Sequence, residues 1–198
     1  MRAGVAIGAV VVVAAGCSVI SPVAAPVVPT FPATTTTAPP AATGTRASLP
    51  TNCKDLIDGA QLDKALSLPL SAVVKSVVGQ PSPSVGQTGR LSCSYGIASQ
   101  ANSYALELSL TSYRDEASAA ARVPLNVEAL RTPGVDPIPI PVGAITGMYL
   151  PLPDGPLLIA SSGIYSITIT LGATSFSPDA AIGSAAAVAN MALSNVRA

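Results

Sequence analysis

A tract rich in proline and threonine, residues 21–50, limits where this chain can fold. It holds seven prolines and seven threonines, and Arg46 is its one charged residue. Because it has no apolar periodicity that could build a buried face, we expect an unfolded, semi-extended tether. A plain spacer explains it more simply than an O-glycosylated stalk does. A folded core must therefore come from residues 51–198, which suffice for one domain and are too few for two.

The segment before the tether has the pattern of an export signal. Arg2 precedes an uninterrupted apolar run over residues 3–15, and Gly16 continues the small residues that lead to Cys17. This pattern resembles the signal of bacterial lipoproteins, in which a peptidase cuts before the cysteine and the thiol carries a diacylglyceryl group. Residue 14 is alanine where that signal prefers leucine. We predict a signal peptide over residues 1–16, lipidation of Cys17, and a lipidated N-terminus with its tether over residues 17–50.

An uncleaved transmembrane helix is the alternative for this apolar run. Even extended to Ile20 it is short for the roughly 20 residues that cross a bilayer, and Pro22 and Pro26 follow soon after. A lipidated cysteine brings about two acyl chains, which is what stable anchoring needs. We therefore expect the protein to be anchored in the cell membrane by lipid, on its extracytoplasmic face.

The cysteine count agrees with an oxidising compartment. Of three cysteines, lipidation takes Cys17 and leaves Cys53 and Cys93 as a pair. A metal pair or a catalytic thiol is the alternative, but the chain has no histidine partner and no Cys-x-x-Cys spacing. We predict a disulfide between Cys53 and Cys93.

Composition argues against several classes of function. Ten basic and ten acidic residues cancel, so no basic excess is available to neutralise nucleic-acid phosphates. The chain contains no histidine and no tryptophan, which removes the commonest metal ligand and the commonest general base. We expect no nucleic-acid partner, no metal site and no cofactor.

The first part of the folded region predicts helices followed by strands. A helix begins near Cys53, and Asp58 with Gln61 forms a capping-box-like restart. Residues 70–78 are too uniformly apolar to distinguish a helix from a strand. Alternating apolar residues predict strands over residues 91–97 and 104–111, the second with one buried and one solvated face.

The second part predicts a helix, an extended segment, a hairpin and a last helix. Asp115 and Glu116 start a helix that runs to about Arg122, where Pro124 checks it, and whether it continues over residues 126–130 is left open. Residues 137–141 are extended because they hold alternate prolines. A hairpin over residues 156–171 turns at Ser161, Ser162 and Gly163. Ser177 caps the last helix, with Pro178 at its first position. Its predicted apolar stripe comprises Ile182, Ala186, Ala189, Leu193 and Val196.

These elements predict an α+β fold, an antiparallel sheet covered by helices in the order α-β-β-α-β-β-α with one disulfide. The succession of features resembles small secreted lipoproteins of mycobacteria and related actinobacteria that carry domains of unknown function. Some of those proteins are similar to the PsbP-like fold, and others to extracellular sensor domains of bacterial kinases. The resemblance rests on Cys17, the tether, Cys53-Lys-Asp-Leu-Ile, Leu91-Ser-Cys-Ser-Tyr, Val142-Gly-Ala-Ile, Gly163-Ile-Tyr-Ser-Ile-Thr-Ile and an alanine-rich last helix. It implies an envelope location and ligand binding, and it transfers no catalytic residue.

Two functions of different classes remain open. One is a noncatalytic binding or interaction module at the envelope, with a cell-wall, glycolipid or protein ligand. The other is a lipid or glycolipid carrier, because the excess of small aliphatic residues over aromatic ones would suit an apolar cavity. An enzyme is not expected, since the carboxylates available for glycoside cleavage have no spacing that selects a pair and are better explained as caps and turns. These carboxylates are Asp115, Glu116, Asp136 and Asp154.

Overall fold

The structure, a computed structural model, describes residues 48–70, 73–97 and 104–196. The predicted signal peptide, Cys17 and nearly all of the tether lie outside these residues. The described residues belong to one compact unit, Gly44–Ala198.

A seven-stranded antiparallel sheet forms the body of this unit, with strand order β1-β2-β3-β7-β6-β5-β4. The predicted α+β class is confirmed, and the structure adds three strands to the four that the sequence patterns predicted. The strands are β1 Val73–Gly79, β2 Gln87–Ile97, β3 Tyr104–Tyr113, β4 Ile138–Val142, β5 Ile145–Leu150, β6 Leu157–Ser162 and β7 Tyr165–Leu171.

Within the described residues four helices accompany the sheet, and a short 3-10 turn over Pro83–Val85 lies between β1 and β2. Side chains satisfy the first free N–H groups at three helix starts: Asn52 accepts from the Lys54 N–H, Asp115 from Ser118 and Ser177 from Ala180. The helices are α1 Cys53–Leu56, α2 Gly59–Leu66, α3 Glu116–Leu130 and α4 Pro178–Asn195.

The main core lies on one face of the sheet, beneath α1, α2 and α4. Leu91, Cys93 and Tyr95 of β2 point into it, as the alternation predicted. The core continues with Leu106, Leu108 and Leu110 of β3, Ile167, Ile169 and Leu171 of β7, and Ala185, Val188 and Ala192 of α4.

The opposite face of the sheet is covered in part by α3. Val127 of this helix packs with Leu150, Leu157 and Ile159 of β5 and β6 in a second, smaller apolar cluster. The expectation that β3 has one fully solvated face is therefore wrong at Thr111, which is buried although it points away from the main core. Helices thus cover both faces of the sheet, but the second face only in part.

Several local expectations are corrected by the fold. Residues 70–78 were left open between helix and strand, and within the described residues 73–79 form strand β1. Helix α3 runs through Pro124 as one element, because Val123 and Val127 on either side of the proline pack on the sheet and hold the helix there. The segment expected to be extended forms a β-strand over residues 138–142. It pairs with β5 at the edge of the sheet, where prolines are tolerated.

The hairpin turn and the apolar stripe of α4 also differ in their residues from the predicted ones. Ser161 and Ser162 belong to β6, and the turn consists of Gly163 and Ile164, with Gly163 at φ 53°. In α4 Ile182 is exposed, whereas small residues that allow close approach to the sheet take the buried face. The buried residues of α4 are Ala181, Ala185, Val188, Ala189, Ala192 and Leu193.

Candidate functional site

The partly covered face of the sheet carries an ordered array of hydroxyl groups. Strands β2, β3 and β7 are neighbours, and their register aligns one residue of each strand in three successive rows. Residues that face each other across antiparallel strands point to the same face. The rows are Arg90, Thr111 and Ser166; Ser92, Ser109 and Thr168; and Ser94, Glu107 and Thr170.

The sequence produces this array by simple alternation. In β7 the residues Tyr165, Ile167, Ile169 and Leu171 are buried in the main core, so the residues between them point the other way. The same parity holds in β2 and β3. Seven of the nine side chains in the array are therefore Ser or Thr, and the other two are Arg90 and Glu107.

Helix α3 forms one side of a groove over this array. Arg122, Asn126 and Leu130 recur at every fourth position, which places them on one face of the helix. All three line the groove, while the adjacent Val123 and Val127 pack on β5 and β6. The apolar contact therefore fixes where the polar edge of α3 stands above the strands.

We call this feature the hydroxyl groove; the array is its floor and α3 is its side. It has a volume of about 460 Å³ and also contacts Gln87, Tyr113 and Ala129. This volume lies within the roughly 300–1,000 Å³ typical of small-molecule sites.

Hydrogen bonds order part of the floor. The Arg90 Nε donates to the Ser109 Oγ over 2.9 Å, and the Ser109 and Ser92 hydroxyl oxygens are 3.3 Å apart. Because a hydroxyl both donates and accepts, the remaining capacity of these groups is available to a ligand.

Arg122 is the exception within the groove. Its Nε atom is closed off from solvent and has no hydrogen-bond partner among the described residues. Glu107, the carboxylate of the floor, is exposed. The groove therefore contains two guanidinium groups and one carboxylate.

The predicted disulfide is confirmed, and it lies behind the floor. Cys53 and Cys93 are joined, with their Cα atoms 5.7 Å apart. Cys93 sits in β2 between Ser92 and Ser94 but points into the main core. The bond thus attaches α1 to a strand whose other face is the floor of the groove.

The carboxylates considered for glycoside cleavage lie elsewhere. Asp115 caps α3, and the Ser118 hydroxyl and backbone N–H that donate to it lower its pKa. Glu116 is in the first turn of α3, and Asp136 and Asp154 are in the connections before β4 and β6. None of the four lines the groove.

Within residues 48–70, 73–97 and 104–196, no group of three or more His, Cys, Asp or Glu residues could hold a metal ion. Over the same ranges, no helix has the length and apolar character needed to cross a bilayer.

The hydroxyl groove was not anticipated from the sequence. The signal that could have located it is the run of Ser and Thr at alternate positions of three strands.

Comparison with solved structures gives a likeness in fold. The fold is similar to the extracellular domain of PknH from Mycobacterium tuberculosis, with a TM-score of 0.47 and 9% sequence identity over 72% of this chain and 94% of that one. No model of a protein family matches the sequence, and no curated protein matches it. At this identity no binding property of that domain can be transferred to this chain.

Proposed function

We propose that this protein is a noncatalytic binding module of the cell envelope that holds a polar ligand in the hydroxyl groove. The observation that carries the proposal is the three-row array of hydroxyl groups beneath α3. Clefts with a few convergent polar groups are the usual place for a small-molecule ligand.

The chemistry of the groove supports binding rather than catalysis. A serine or threonine hydroxyl is a weak nucleophile until an adjacent base accepts its proton. The side chains along the groove supply hydroxyl, amide and guanidinium groups and one exposed carboxylate, Glu107. They suit the recognition of a polyhydroxylated ligand such as a cell-wall glycan, because hydroxyl groups of both partners can donate and accept.

The proposed location rests on the N-terminal residues and the disulfide. Disulfides persist in oxidising compartments, and Cys53 and Cys93 form one. Lipidation of Cys17, with residues 17–50 as a tether, would hold the folded unit outside the membrane within reach of the cell wall.

The lipid carrier, the alternative suggested by composition, requires a cavity that accepts acyl chains. The floor of the hydroxyl groove is polar, so burial of an acyl chain there would leave hydroxyl groups without partners. This groove therefore favours a polar ligand or a lipid headgroup over an acyl chain.

The experiment uses the mature, lipidated protein in detergent with soluble cell-wall glycan fragments. Saturation-transfer NMR should detect binding by the wild type and by Ser84→Trp, a control in the exposed 3-10 turn. Ser92→Trp, which places an indole in the middle row of the floor, should abolish the signal.

Binding that Ser92→Trp leaves unchanged would overturn the proposal, as would the absence of binding by the wild type. Cleavage of the glycan in the sample would indicate that the protein is an enzyme and not a noncatalytic binding module. An acyl lipid found by native mass spectrometry in the wild type and missing in Ser92→Trp would favour the carrier.

A further inference from the structure

One nitrogen of Arg122 in the groove forms no hydrogen bond with any residue that the structure describes. A buried polar group that makes no hydrogen bond destabilises a protein, and a charged group does so more strongly. The Nε atom of Arg122 is such a group, although its side chain lines the hydroxyl groove. Arg122 therefore has hydrogen-bonding capacity that no described residue uses, and its side chain lines the groove.

The floor of the groove carries a second guanidinium. Arg90 lies on β2 and Arg122 on α3, and both line the groove. The Arg90 Nε uses the Ser109 hydroxyl as its acceptor. Among the residues with described structure, neither arginine forms an ion pair; the pairs present join Arg114 to Asp115 and Arg131 to Glu128.

The balance of charge in the groove differs from that of the chain. The whole chain has a formal net charge of zero, whereas the groove combines two arginines with Glu107. A local excess of positive charge attracts anions, and this attraction is stronger at a partly buried site than on an exposed surface.

From these observations we infer that the hydroxyl groove recognises an oxyanion, a carboxylate or a phosphate, carried by a saccharide. The planar guanidinium of Arg122 matches the geometry of such a group and can donate two parallel hydrogen bonds to it. The Ser and Thr hydroxyls of the floor would bind the sugar hydroxyls beside it. This inference rests on the proposed function and specifies the chemistry of its ligand.

The test compares three probes at constant ionic strength: glucose, glucuronate and glucose 6-phosphate. Isothermal titration of the mature protein should give at least about tenfold tighter binding of the charged probes than of glucose, since a hydrogen bond to a charged group contributes more than a neutral one. A preference between the two charged probes identifies the carboxylate or the phosphate as the group bound.

Arg122→Gln should remove most of the tenfold preference, and Arg122→Lys should retain part of it because the charge remains without the planar fork. Arg131→Gln is the matched control, because Arg131 follows the last turn of α3, pairs with Glu128 and does not line the groove. Far-UV circular dichroism and thermal unfolding check that each variant is folded.

Equal binding of glucose and both charged probes, abolished by Ser92→Trp, would overturn this inference and leave the proposed function intact. A preference for charged probes that Arg122→Gln does not change would also overturn it. Failure of every probe would overturn it as well. If the cell-wall glycan fragments also failed to bind, the proposed function would be overturned.

Discussion

The side chain of Asn195, the last residue of α4, donates a hydrogen bond of 2.8 Å from Nδ2 to the backbone carbonyl of Leu56, the last residue of α1. The two residues are 139 positions apart in the chain. Carbonyl groups at a helix end lack partners within the helix, so a side chain from elsewhere can satisfy one of them. Helix α1 is therefore held at Cys53 by the disulfide and at Leu56 by α4.

Loss of this hydrogen bond should destabilise the domain. We expect Asn195→Ala to lower the free energy of unfolding by about 1 kcal/mol, the usual contribution of one hydrogen bond. Asn195→Asp should cost more, because its carboxylate would face the Leu56 carbonyl oxygen without a donor. Urea unfolding followed by circular dichroism measures both. Equal stability of Asn195→Asp and wild type would show that the contact does not persist in solution.

The disulfide should account for a large part of the stability. It closes a loop of 40 residues, for which loop-closure entropy gives roughly 4 kcal/mol. The double variant Cys53→Ser with Cys93→Ser should therefore unfold at much lower urea concentration than the oxidised wild type. The reduced wild type is the control, and it should unfold at a urea concentration close to that of the double variant. A thiol assay on the denatured, unreduced protein that finds Cys53 and Cys93 free would contradict the pairing.

Tyr95 should make the stability depend on alkaline pH. Burial raises the pKa of Tyr95 to about 12, against about 10 in an unfolded chain. The unfolded state therefore releases the Tyr95 proton at lower pH than the folded state does. The stabilisation that the protonated tyrosine gives to the folded state is fully present below about pH 10 and is lost as the pH rises toward about 12. A shift of about two units corresponds to roughly 2–3 kcal/mol.

Tyr95→Phe should weaken the decline in the free energy of unfolding at alkaline pH. Urea unfolding at several pH values from neutral to strongly alkaline measures this. Burial also raises the pKa values of Tyr149 and Tyr165, so a weaker decline remains in the variant. Near neutral pH the variant should be about 1 kcal/mol more stable, because the Tyr95 hydroxyl is buried without a hydrogen-bond partner among the described residues. A steeper decline in the variant would contradict the assignment.

Two turn glycines should respond differently to the same substitution. Gly143 and Gly163 both have positive φ, 59° and 53°, so alanine strains the backbone at each by about 1 kcal/mol. A Cβ at Gly163 meets open space, whereas one at Gly143 collides with the Asn190 side chain. Gly143→Ala should therefore be the more destabilising in urea unfolding. Adding Asn190→Ala should recover most of the difference, and failure to do so would place the cause elsewhere.

Lipidation predicts a specific mass for the N-terminus. The wild-type protein isolated from membranes should begin at Cys17 and carry a diacylglyceryl group, as determined by mass spectrometry of the N-terminal peptide. Cys17→Ser should retain residues 1–16 and lack the added mass, since the Cys17 thiol is the proposed site of acylation. An unmodified wild-type protein with its first residues intact would refute the lipid anchor.

Sequence patterns predicted the parts of the fold that depend on local alternation. The strands around Cys93 and Leu108 have alternating apolar residues, and the cap at Ser177 lies next to a proline that suits a helix start. The disulfide was predictable because assigning Cys17 to the predicted lipidation site leaves two cysteines. Strand β5 was missed because its residues, Ile-Thr-Gly-Met-Tyr-Leu, contain a glycine and lack strict alternation.

The hydroxyl groove could not be predicted, since it depends on which strands become neighbours. Ser109 and Thr168 are far apart in the sequence, and their alignment follows from the pairing of β3 with β7. The coverage by α3 likewise depends on Val127 meeting Leu157 and Ile159, which is a tertiary contact. Local patterns identify the face of each strand but contain no information on the order of strands.

From the position of Cys93 we expect the oxidation of its sulfur to be coupled to occupation of the groove. Cys93 forms the cross-link on the core side of β2, and its two neighbours in the strand, Ser92 and Ser94, belong to the floor of the groove. Thermodynamic linkage is reciprocal: a ligand that binds the oxidised form more tightly than the reduced form makes the disulfide harder to reduce by the same factor. The midpoint of reduction in a dithiothreitol titration would then report occupancy of the groove from the opposite side of the sheet.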